Sequence, residues 1–362
     1  MTLSTTAASR GTSRPAPSTA TAARSGRGAG VWVLLAFLLV VAAVLSVSCG
    51  SRPIDAATTW RVVPHVFFGD PGAVPGVAPL DGAVVESRVW RTAAGILTGA
   101  ALAVAGALLQ GATRNPLGDP GILGLTAGAA LAVVAGGAFF GLSGVTHQLW
   151  LAALGSAVAM AAVYALASAA RGGARPVTLA LTGAAVSAGL TALTSAVLLS
   201  HQATFDSFRR WQVGELSRPD GTFLVLATPG ILVGLALGCS LARSLDALSL
   251  GDELGRGLGT HPALTRSLAG LAVVLLAGTS TALVGPLVFC GLLVPHAMRV
   301  FLGVSYRRVL PACVLAGPVI VLVADVLARV LVPDREIQVG IALVVIGAPA
   351  LVAVLRGKAV AS

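Results

Sequence analysis

The chain has 362 residues, of which 56% are hydrophobic and only 10% charged, and its mean hydropathy is +0.90. This composition excludes an ordinary soluble protein. Residues 120–170 contain no Asp, Glu, Lys or Arg, and this run is far longer than the roughly 20 residues that one transmembrane helix needs. A soluble enzyme with a single membrane anchor is therefore excluded too, and the composition predicts an all-α polytopic membrane protein.

The net charge of +10 would suggest a nucleic-acid partner if the chain were soluble. Here the basic residues lie in short segments between apolar runs, where they set the orientation of membrane helices. We therefore expect membrane lipid, and no nucleic acid, among the partners.

Residues 1–30 contain four arginines and no acidic residue among Ser, Thr, Ala and Gly. Because such a segment cannot bury apolar surface, it is predicted to be a disordered basic tail. With the apolar run behind it, the tail could be taken for a signal peptide. Nine further apolar segments favour an uncleaved first transmembrane helix instead, and a membrane domain over residues 31–358.

The apolar runs, divided at Gly, Pro and charge clusters, predict ten transmembrane helices. The uncharged stretch 267–298 would be about 48 Å long as one helix, against a hydrocarbon core of roughly 30 Å, so we divide it at Gly285-Pro286. The polar regions 51–87 and 201–221 are predicted to be long loops on one side of the membrane. The ten predicted helices are 31–49, 90–112, 120–141, 148–169, 176–200, 222–242, 267–284, 287–303, 308–331 and 337–356.

An even number of crossings places both termini on the same side of the membrane. With the N-terminus inside, fifteen of the 24 basic residues face the cytoplasm, eight face outward and Arg329 stays in the membrane. The positive-inside rule therefore predicts cytoplasmic termini and a cytoplasmic loop 243–266. It places the loops 51–87 and 201–221 outside.

Small residues recur along the second predicted helix. Gly95 and Gly99 form a GxxxG pair, which Ala103, Ala107 and Gly111 continue at four-residue spacing. Such a stripe lets helix backbones approach closely in lipid.

Asp325 is the one acidic residue well inside a predicted helix, and Arg329 follows four residues later. At this spacing the two side chains can form an ion pair on one helix face. The alternative is a proton-carrying carboxylate, as in gradient-driven transporters. His296 and Arg299 lie at the inner end of the eighth predicted helix, where we expect contacts with headgroups or loop carbonyls.

The sequence contains no arrangement of nucleophile, base and oxyanion donors and no phosphate-binding glycine loop, so we expect no enzymatic activity and no cofactor in this chain. We interpret Cys239, Cys290 and Cys313 as small core residues, because they lack zinc-ligand spacing. Cys49 could be a lipid-attachment site, but Ser46 replaces the bulky apolar residue expected three positions earlier. No metal site is predicted.

The loop 243–266 is amphipathic, with Leu245, Leu248, Leu254 and Leu258 among charged residues. It is too polar to cross the membrane. The pattern fits both a segment on the membrane surface and a segment that docks a partner, and it does not decide between them.

The segments 88–91 and 99–124 resemble the second and third spans of the FecCD-type permeases, the membrane subunits of ABC importers for iron-siderophores, haem and vitamin B12. Four further blocks are similar to that family and follow in its order, at 250–259, 291–299, 324–329 and 339–349, so the resemblance covers about residues 31–358. The matching motif residues, for which we expect structural roles, are Arg91, Gly99, Gln110, Asn115, Pro116, Pro120, Gly121, Pro295, His296, Asp325, Arg329, Gly347 and Pro349.

The resemblance implies a bacterial plasma-membrane permease that pairs with a second copy or a paralogue around a central path. It also implies two cytoplasmic ATP-binding subunits and an extracytoplasmic substrate-binding lipoprotein. A ferric siderophore ranks ahead of haem and cobalamin as cargo, and no motif indicates the substrate-binding residues.

The resemblance further implies that the 250–259 block is the ATPase-coupling site. We expect Leu254 and Leu258 to enter a groove of the ATPase, with charged residues at its rim. Gly255 stands where the family commonly has Ala, which predicts a coupling helix that is either short or ordered only on docking. The predicted coupling residues are Gly251, Asp252, Glu253, Leu254, Arg256, Leu258 and Gly259.

Two other functions remain as alternatives. An ion-gradient-driven secondary transporter would have no need for the inward loop 248–262. A non-transporting membrane scaffold is disfavoured because the sequence contains no sizeable soluble module.

Overall fold

The computed structural model describes residues 20–121, 123–142, 144–170, 176–217, 219–331 and 337–360, and in these ranges it contains fifteen α-helices and no β-strand. Helices are the expected outcome, because apolar segments in lipid must satisfy their backbone hydrogen bonds internally. The helices are α1 Ala20–Ser48, α2 Ala56–Phe68, α3 Pro79–Thr113, α4 Leu125–Phe140, α5 Val145–Ala169, α6 Pro176–Ser200, α7 Gln202–Gln212, α8 Gly221–Ser240, α9 Ala242–Ser249, α10 Asp252–Gly257, α11 Pro262–Val273, α12 Thr279–Val284, α13 Cys290–Leu302, α14 Tyr306–Val330 and α15 Val339–Val360.

Seven helical stretches of the described chain are long and apolar enough to cross a membrane, and three shorter helices are also apolar. These ten match the ten predicted segments in order. The long ones are α1, α3, α5, α6, α8, α11 with α12, and α14, and the shorter ones are α4, α13 and α15.

The predicted disordered tail needs correction over part of its length. Residues 1–19 lie outside the described residues, but α1 begins at Ala20, so residues 20–30 are helical. Ala and Arg in this stretch are strong helix formers, and they extend the apolar helix behind them.

The two predicted polar loops also contain helices. Region 51–87 includes α2 and the start of α3, and region 201–221 includes α7. The side chain of Asp55 caps α2 by accepting a hydrogen bond from the backbone N of Thr58, and Pro79 occupies the first turn of α3. These local signals start helices even where the composition is polar.

The predicted break after residue 284 is confirmed. The stretch from Pro262 to Val284 is one helical rod that includes a π-helical turn over Val274–Gly278. It ends at Gly285, whose φ of +81° suits glycine, and α13 begins at Cys290.

Helix α3 is the most deeply buried of the long apolar helices. A Cβ atom on Gly99 would lie 2.7 Å from backbone atoms of Gly317 and Pro318 in α14. A Cβ atom on Gly106 would lie 2.0 Å from the carbonyl oxygen of Gly291 in α13. Gly99 of the small-residue stripe therefore brings α14 into direct backbone contact with α3, and Gly106, which lies outside the stripe, does the same for α13.

A buried ion cluster joins α1, α3 and α14 at one end of the bundle, which we call the α2 end. Asp325 is fully buried and lies between two arginines, with Arg91 Nη2 2.8 Å and Arg329 Nη2 3.0 Å from its carboxylate oxygens. Arg329 also donates hydrogen bonds to the carbonyl oxygens of Ser46 (3.1 Å) and Cys49 (2.8 Å) at the end of α1. The predicted Asp325–Arg329 pair is present, and Arg91 is a partner that the sequence pattern did not indicate.

The cluster contains two cations and one anion, and the C-terminal end of α1 supplies further compensation. The carbonyl groups there form the negative end of the helix dipole. Arg88 also binds the C-terminal end of α1, because its Nη1 donates a hydrogen bond to the carbonyl oxygen of Ser48 at 3.2 Å. A carboxylate held between two guanidinium groups favours the structural role of Asp325 over proton carriage.

We predict that Asp325→Asn reduces the amount of folded protein in the membrane, because it leaves two buried guanidinium groups without their carboxylate. Removing one partner of a buried ion pair costs about 3–5 kcal/mol. Membrane level and thermal unfolding in detergent measure the effect. Asp325→Asn combined with Arg91→Gln and Arg329→Gln should recover part of the level. Normal assembly of Asp325→Asn with a loss of pH dependence in transport would identify a proton carrier instead.

Candidate coupling segment and central cavity

Residues 242–261, which we call the α9–α10 segment, lie at the opposite end of the bundle, the α10 end. Gly251 has a φ of +120° and Gly259 one of +81°, so both take backbone conformations that favour glycine and bracket α10. Helix α10 is formed in the single chain and has six residues, which agrees with the first of the two predicted alternatives. Gly255 is buried, and a Cβ atom there would lie 3.0 Å from Thr260 Oγ1, which donates a hydrogen bond to the Gly255 carbonyl oxygen. Glycine at position 255 therefore makes room for the Thr260 hydroxyl.

The leucines of this segment fall into two groups. Leu245 and Leu248 are fully buried in the bundle, whereas Leu250 is exposed, and Leu254 and Leu258 have 62% and 63% of their surface exposed. The first group holds α9 against the bundle. In the second group, Leu258 donates its backbone N–H to the Leu254 carbonyl oxygen, so these two exposed leucines lie one helical turn apart and form an apolar ridge, which is typical of a surface that a partner covers.

Asp252 is bound within the chain. It forms an ion pair with Arg114, at the end of α3, and accepts hydrogen bonds from Arg266 Nη2 (2.8 Å) and Nη1 (3.0 Å). Arg266 also donates from Nε to the carbonyl oxygen of Ala112 at 3.2 Å. Two arginines of its own chain thus engage the Asp252 carboxylate, while about a third of the side chain stays exposed, and its place at the rim of a partner's groove stays a prediction. Glu253 and Arg256 are exposed.

The hydrogen bond from Arg266 is the main cause that lowers the pKa of Asp252 below its usual value. The charges of Arg266 and Arg114 lower this pKa further, and partial burial opposes them. Asp252 is therefore ionised at neutral pH, and it fastens α10 to α3 and α11.

Asp246 fastens α9 to the start of α14. Its Oδ1 accepts a hydrogen bond from the backbone N of Tyr306 (2.6 Å), and its Oδ2 accepts one from Ser305 Oγ (2.8 Å). Asp246 is not among the residues predicted from the sequence. Its partners lie about sixty residues further along the chain, and no local pattern indicates such a contact.

The motif residues of α3 and α13 meet in a buried polar contact. Gln110, of which only 2% is exposed, donates from Nε2 to the carbonyl oxygen of Gly291 at 3.0 Å, and its Oε1 accepts from Arg299 Nη1. Arg299 Nη2 also lies 3.4 Å from Tyr306 Oη. The sequence predicts contacts of Arg299 with headgroups or loop carbonyls. This prediction is wrong, because the guanidinium group of Arg299 contacts the side chains of Gln110 and Tyr306 within the protein. His296 is buried, with Nδ1 donating to the Leu292 carbonyl oxygen at 3.2 Å.

The remaining motif residues shape turns and packing. Asn115 Oδ1 accepts a hydrogen bond from the backbone N of Leu117 at 3.0 Å, in the loop that joins α3 to α4. Gly347 lets α15 approach residue 289, because a Cβ atom there would lie 2.8 Å from Phe289 Cβ. In the α3–α4 loop, Pro116 is exposed, Pro120 is buried and the backbone N–H of Gly121 donates a hydrogen bond to Asp119 Oδ1. Pro295 lies inside α13 and Pro349 inside α15.

A cavity of about 1100 Å³ lies between α4, α6, α7, α15 and residues 286–288. Its described wall contains apolar side chains and several hydroxyl groups, with Asp119 and Arg209 as the charged residues. Asp119 comes from the α3–α4 loop and Arg209 from α7, so the two charges belong to different segments of the chain. The hydroxyl residues of the wall are Thr126, Ser187, Thr191, Thr194 and Ser195.

The cavity borders α6, whose surface is mostly exposed in the single chain. This helix exposes Ala184, Ala188, Thr191, Ala192 and Ser195, which are small residues at three- and four-residue spacings. Small side chains allow another helix to approach closely in lipid. The face of α6 beside the cavity therefore exposes mainly small side chains.

Comparisons with known proteins agree with this architecture. The model of the FecCD transport family matches residues 38–357. The chain is 40% identical over 325 residues to the ferric enterobactin transport system permease protein FepD of Escherichia coli (strain K12), covering 90% of this chain and 94% of FepD. It is 37% identical to the iron(3+)-hydroxamate import system permease protein FhuB of Bacillus subtilis (strain 168), covering 86% of this chain and 79% of FhuB.

A solved structure described as an inward-facing conformation of a metal-chelate type ABC transporter is similar over 89% of this chain and 97% of its own, with a TM-score of 0.75 and 26% identity. Sequence and structure lead to the same assignment. The chain belongs to the FecCD transport family.

Proposed function

We propose that this protein is the permease of an ABC importer that carries a ferric siderophore into the bacterial cytoplasm, driven by separate ATP-binding subunits. The apolar ridge of Leu254 and Leu258 carries the proposal, because an exposed ridge on a segment that Asp246 and Asp252 attach to the bundle suits the attachment of a motor subunit. FepD and FhuB are named as permeases for ferric enterobactin and iron(3+)-hydroxamate, which supports an iron chelate as cargo. Haem and cobalamin rank behind it.

The α10 end is the cytoplasmic end in this proposal, and both termini are cytoplasmic. Many basic residues gather at the α10 end, which agrees with the positive-inside rule. They include Arg114, Arg243, Arg256, Arg266, Arg299, Arg307 and Arg308. The α2 end then faces outward, where a substrate-binding lipoprotein would deliver the cargo.

A second permease, either a copy of this chain or a paralogue, would complete the path along α6. The cavity in one chain is then one half of that path. Its size already exceeds the roughly 300–1,000 Å³ of typical small-molecule pockets, which suits a bulky chelate rather than a bare ion.

The gradient-driven alternative finds less support. Asp325, its candidate proton carrier, is held between Arg91 and Arg329. Uptake in vesicles loaded with ATP, with and without an uncoupler, distinguishes the two mechanisms, because an uncoupler abolishes only gradient-driven uptake.

For topology, we predict that a membrane-impermeant maleimide labels Gln202→Cys in sealed spheroplasts and labels Glu253→Cys only after permeabilisation. Both positions are exposed, and Cys49 and Cys239 are replaced by Ser to lower the background. Labelling of Glu253→Cys in sealed cells would reverse the orientation.

For coupling, we predict that Leu258→Asp abolishes co-purification of the ATP-binding subunit and ATP-driven uptake, because it places a charge in the apolar ridge. Charge reversal at both Glu253 and Arg256 should have the same effect. Leu117→Asp is the matched control, since Leu117 is an exposed leucine at the same end but outside the ridge. Normal ATPase binding and uptake by Leu258→Asp would exclude the ridge as the coupling element.

For Asp252, the lowered pKa predicts that the carboxylate stays ionised and keeps its ion pairs when the pH falls from 7 to about 5. The pKa is lower in the folded chain than in the unfolded one, so the stabilisation is complete above the ordinary value of 3.8 and is lost as pH falls through the lowered value. ATPase binding should therefore not lose this contribution between pH 7 and about 5. Asp252→Asn should weaken binding a few-fold at every pH in that range, because partly exposed ion pairs contribute about 0–1 kcal/mol each. Microscale binding titrations at several pH values measure both effects, and a wild-type affinity for Asp252→Asn would contradict the proposed anchor.

A further inference from the structure

We infer that Gln110 and Arg299 are positioning residues that carry movement of the α9–α10 segment to the cavity wall by way of α13. The inference rests on the proposed function and concerns how ATPase movement reaches the path. The contacts involved, which we call the α13 link, run through Asp246, Tyr306, Arg299, Gln110 and Gly291.

The link begins at the α9–α10 segment. Asp246 holds the first backbone N–H of α14, that of Tyr306, and the neighbouring hydroxyl of Ser305. The guanidinium group of Arg299 lies 5.5 Å from the centre of the Tyr306 ring and contacts its hydroxyl group. Movement of α9 therefore displaces Tyr306 and, through it, Arg299 near the end of α13.

The link then crosses to α3 through one buried side chain. Gln110 accepts a hydrogen bond from Arg299 with its carbonyl oxygen and donates its amide N–H to the Gly291 carbonyl oxygen. Losing either contact leaves a buried polar group unsatisfied, which is costly at low dielectric. Gln110 therefore holds both ends of α13, at Gly291 and at Arg299, in one register against α3.

The cavity wall adjoins the same helix. Pro286 and Val288, just before α13, line the cavity. A Cβ atom on Gly291 would lie 3.3 Å from Asp119 Oδ2, and Asp119 also lines the cavity. Because Gln110 fixes the register of α13 against α3, a shift of α13 carries the end of α3 with it and moves two parts of the wall together.

Helix α13 is built to move as a unit. It has thirteen residues and is separated from α12 by the non-helical residues 285–289, where Gly285 and Phe289 have φ values of +81° and +68°. At its other end Gly303 has a φ of +82°. Short connections of this kind can absorb a change in backbone angles while the helix between them stays rigid.

The test uses proteoliposomes that contain the permease, the ATP-binding subunits and the substrate-binding protein, with ferric enterobactin as the transported probe. Uptake is measured per ATP hydrolysed. A second readout is maleimide labelling of Ser187→Cys in the cavity wall, with and without ATP, in the Cys49→Ser and Cys239→Ser background.

We expect Gln110→Met to assemble and to hydrolyse ATP while its uptake per ATP falls at least tenfold. Labelling of Ser187→Cys should no longer depend on ATP. Arg299→Lys keeps one donor to Gln110 and should give an intermediate ratio. Gln148→Met is the matched control, because Gln148 is also a buried glutamine but lies on α5, away from the link.

Uptake per ATP and ATP-dependent labelling within twofold of wild type, in either Gln110→Met or Arg299→Lys, would overturn the inference. If Gln110→Met does not assemble, Arg299→Lys decides. A wild-type complex that shows neither ATP-dependent labelling nor uptake of ferric enterobactin or haem would instead overturn the proposed function. The two failures are thus distinguishable.

Discussion

The direct backbone contact of α3 with α14 and α13 is the constraint on which the rest of the bundle depends. In lipid there is no hydrophobic drive between helices, so close van der Waals packing and interhelical hydrogen bonds must hold them together. Gly99 against Gly317 and Gly106 against Gly291 permit an approach that any larger residue would prevent. Once α3 is fixed in this way, its two ends present Arg91 and Arg114 to two separate ion clusters.

The two clusters differ in burial, and their roles should differ accordingly. The cluster of Arg91, Asp325 and Arg329 is almost completely buried, so breaking it costs several kcal/mol. In the cluster around Asp252 about a third of the Arg114 and Asp252 side chains is exposed, and water can replace its contacts at low cost. The α2 end of α3 is therefore locked to α1 and α14, whereas the α10 end can adjust its contacts when a partner pulls on the α9–α10 segment.

Much of this fold could be predicted from local sequence patterns, because lipid leaves helices as the one available structure for long apolar runs. The Asp325–Arg329 pair was visible for the same reason, since residues four apart share a helix face. The pairing of Arg91 with Asp325 could not be predicted, because the two residues lie 234 positions apart along the chain. The helices α2 and α7 lie in segments whose polar composition predicts loops. A cap residue such as Asp55 is the local signal that indicates a helix there.

In the candidate site, too, local patterns predict some features, whereas others depend on contacts between distant parts of the chain. The ridge of Leu254 and Leu258 follows from an amphipathic pattern, but the pattern does not reveal that Asp252 and Asp246 face inward to partners on α3, α11 and α14. A polar side chain on a short surface helix looks the same in sequence whether it meets water, a partner or its own chain. Long-range geometry decides among these, and one sequence contains no direct record of it.

The character of the cavity wall follows from what a path must do. A wall that bound its cargo tightly would hold it, because each favourable contact made inside must be broken on release. Hydroxyl groups and apolar side chains offer weak and exchangeable contacts, and the two charges of the described wall, Arg209 and Asp119, come from different segments of the chain. Selection of the cargo then falls to the partner that delivers it, and the permease needs shape and timing more than affinity. This division explains why an ATP-driven importer of a bulky chelate can have a wall without a binding motif, and why the informative polar contacts of this chain lie behind the wall, between α13 and α3.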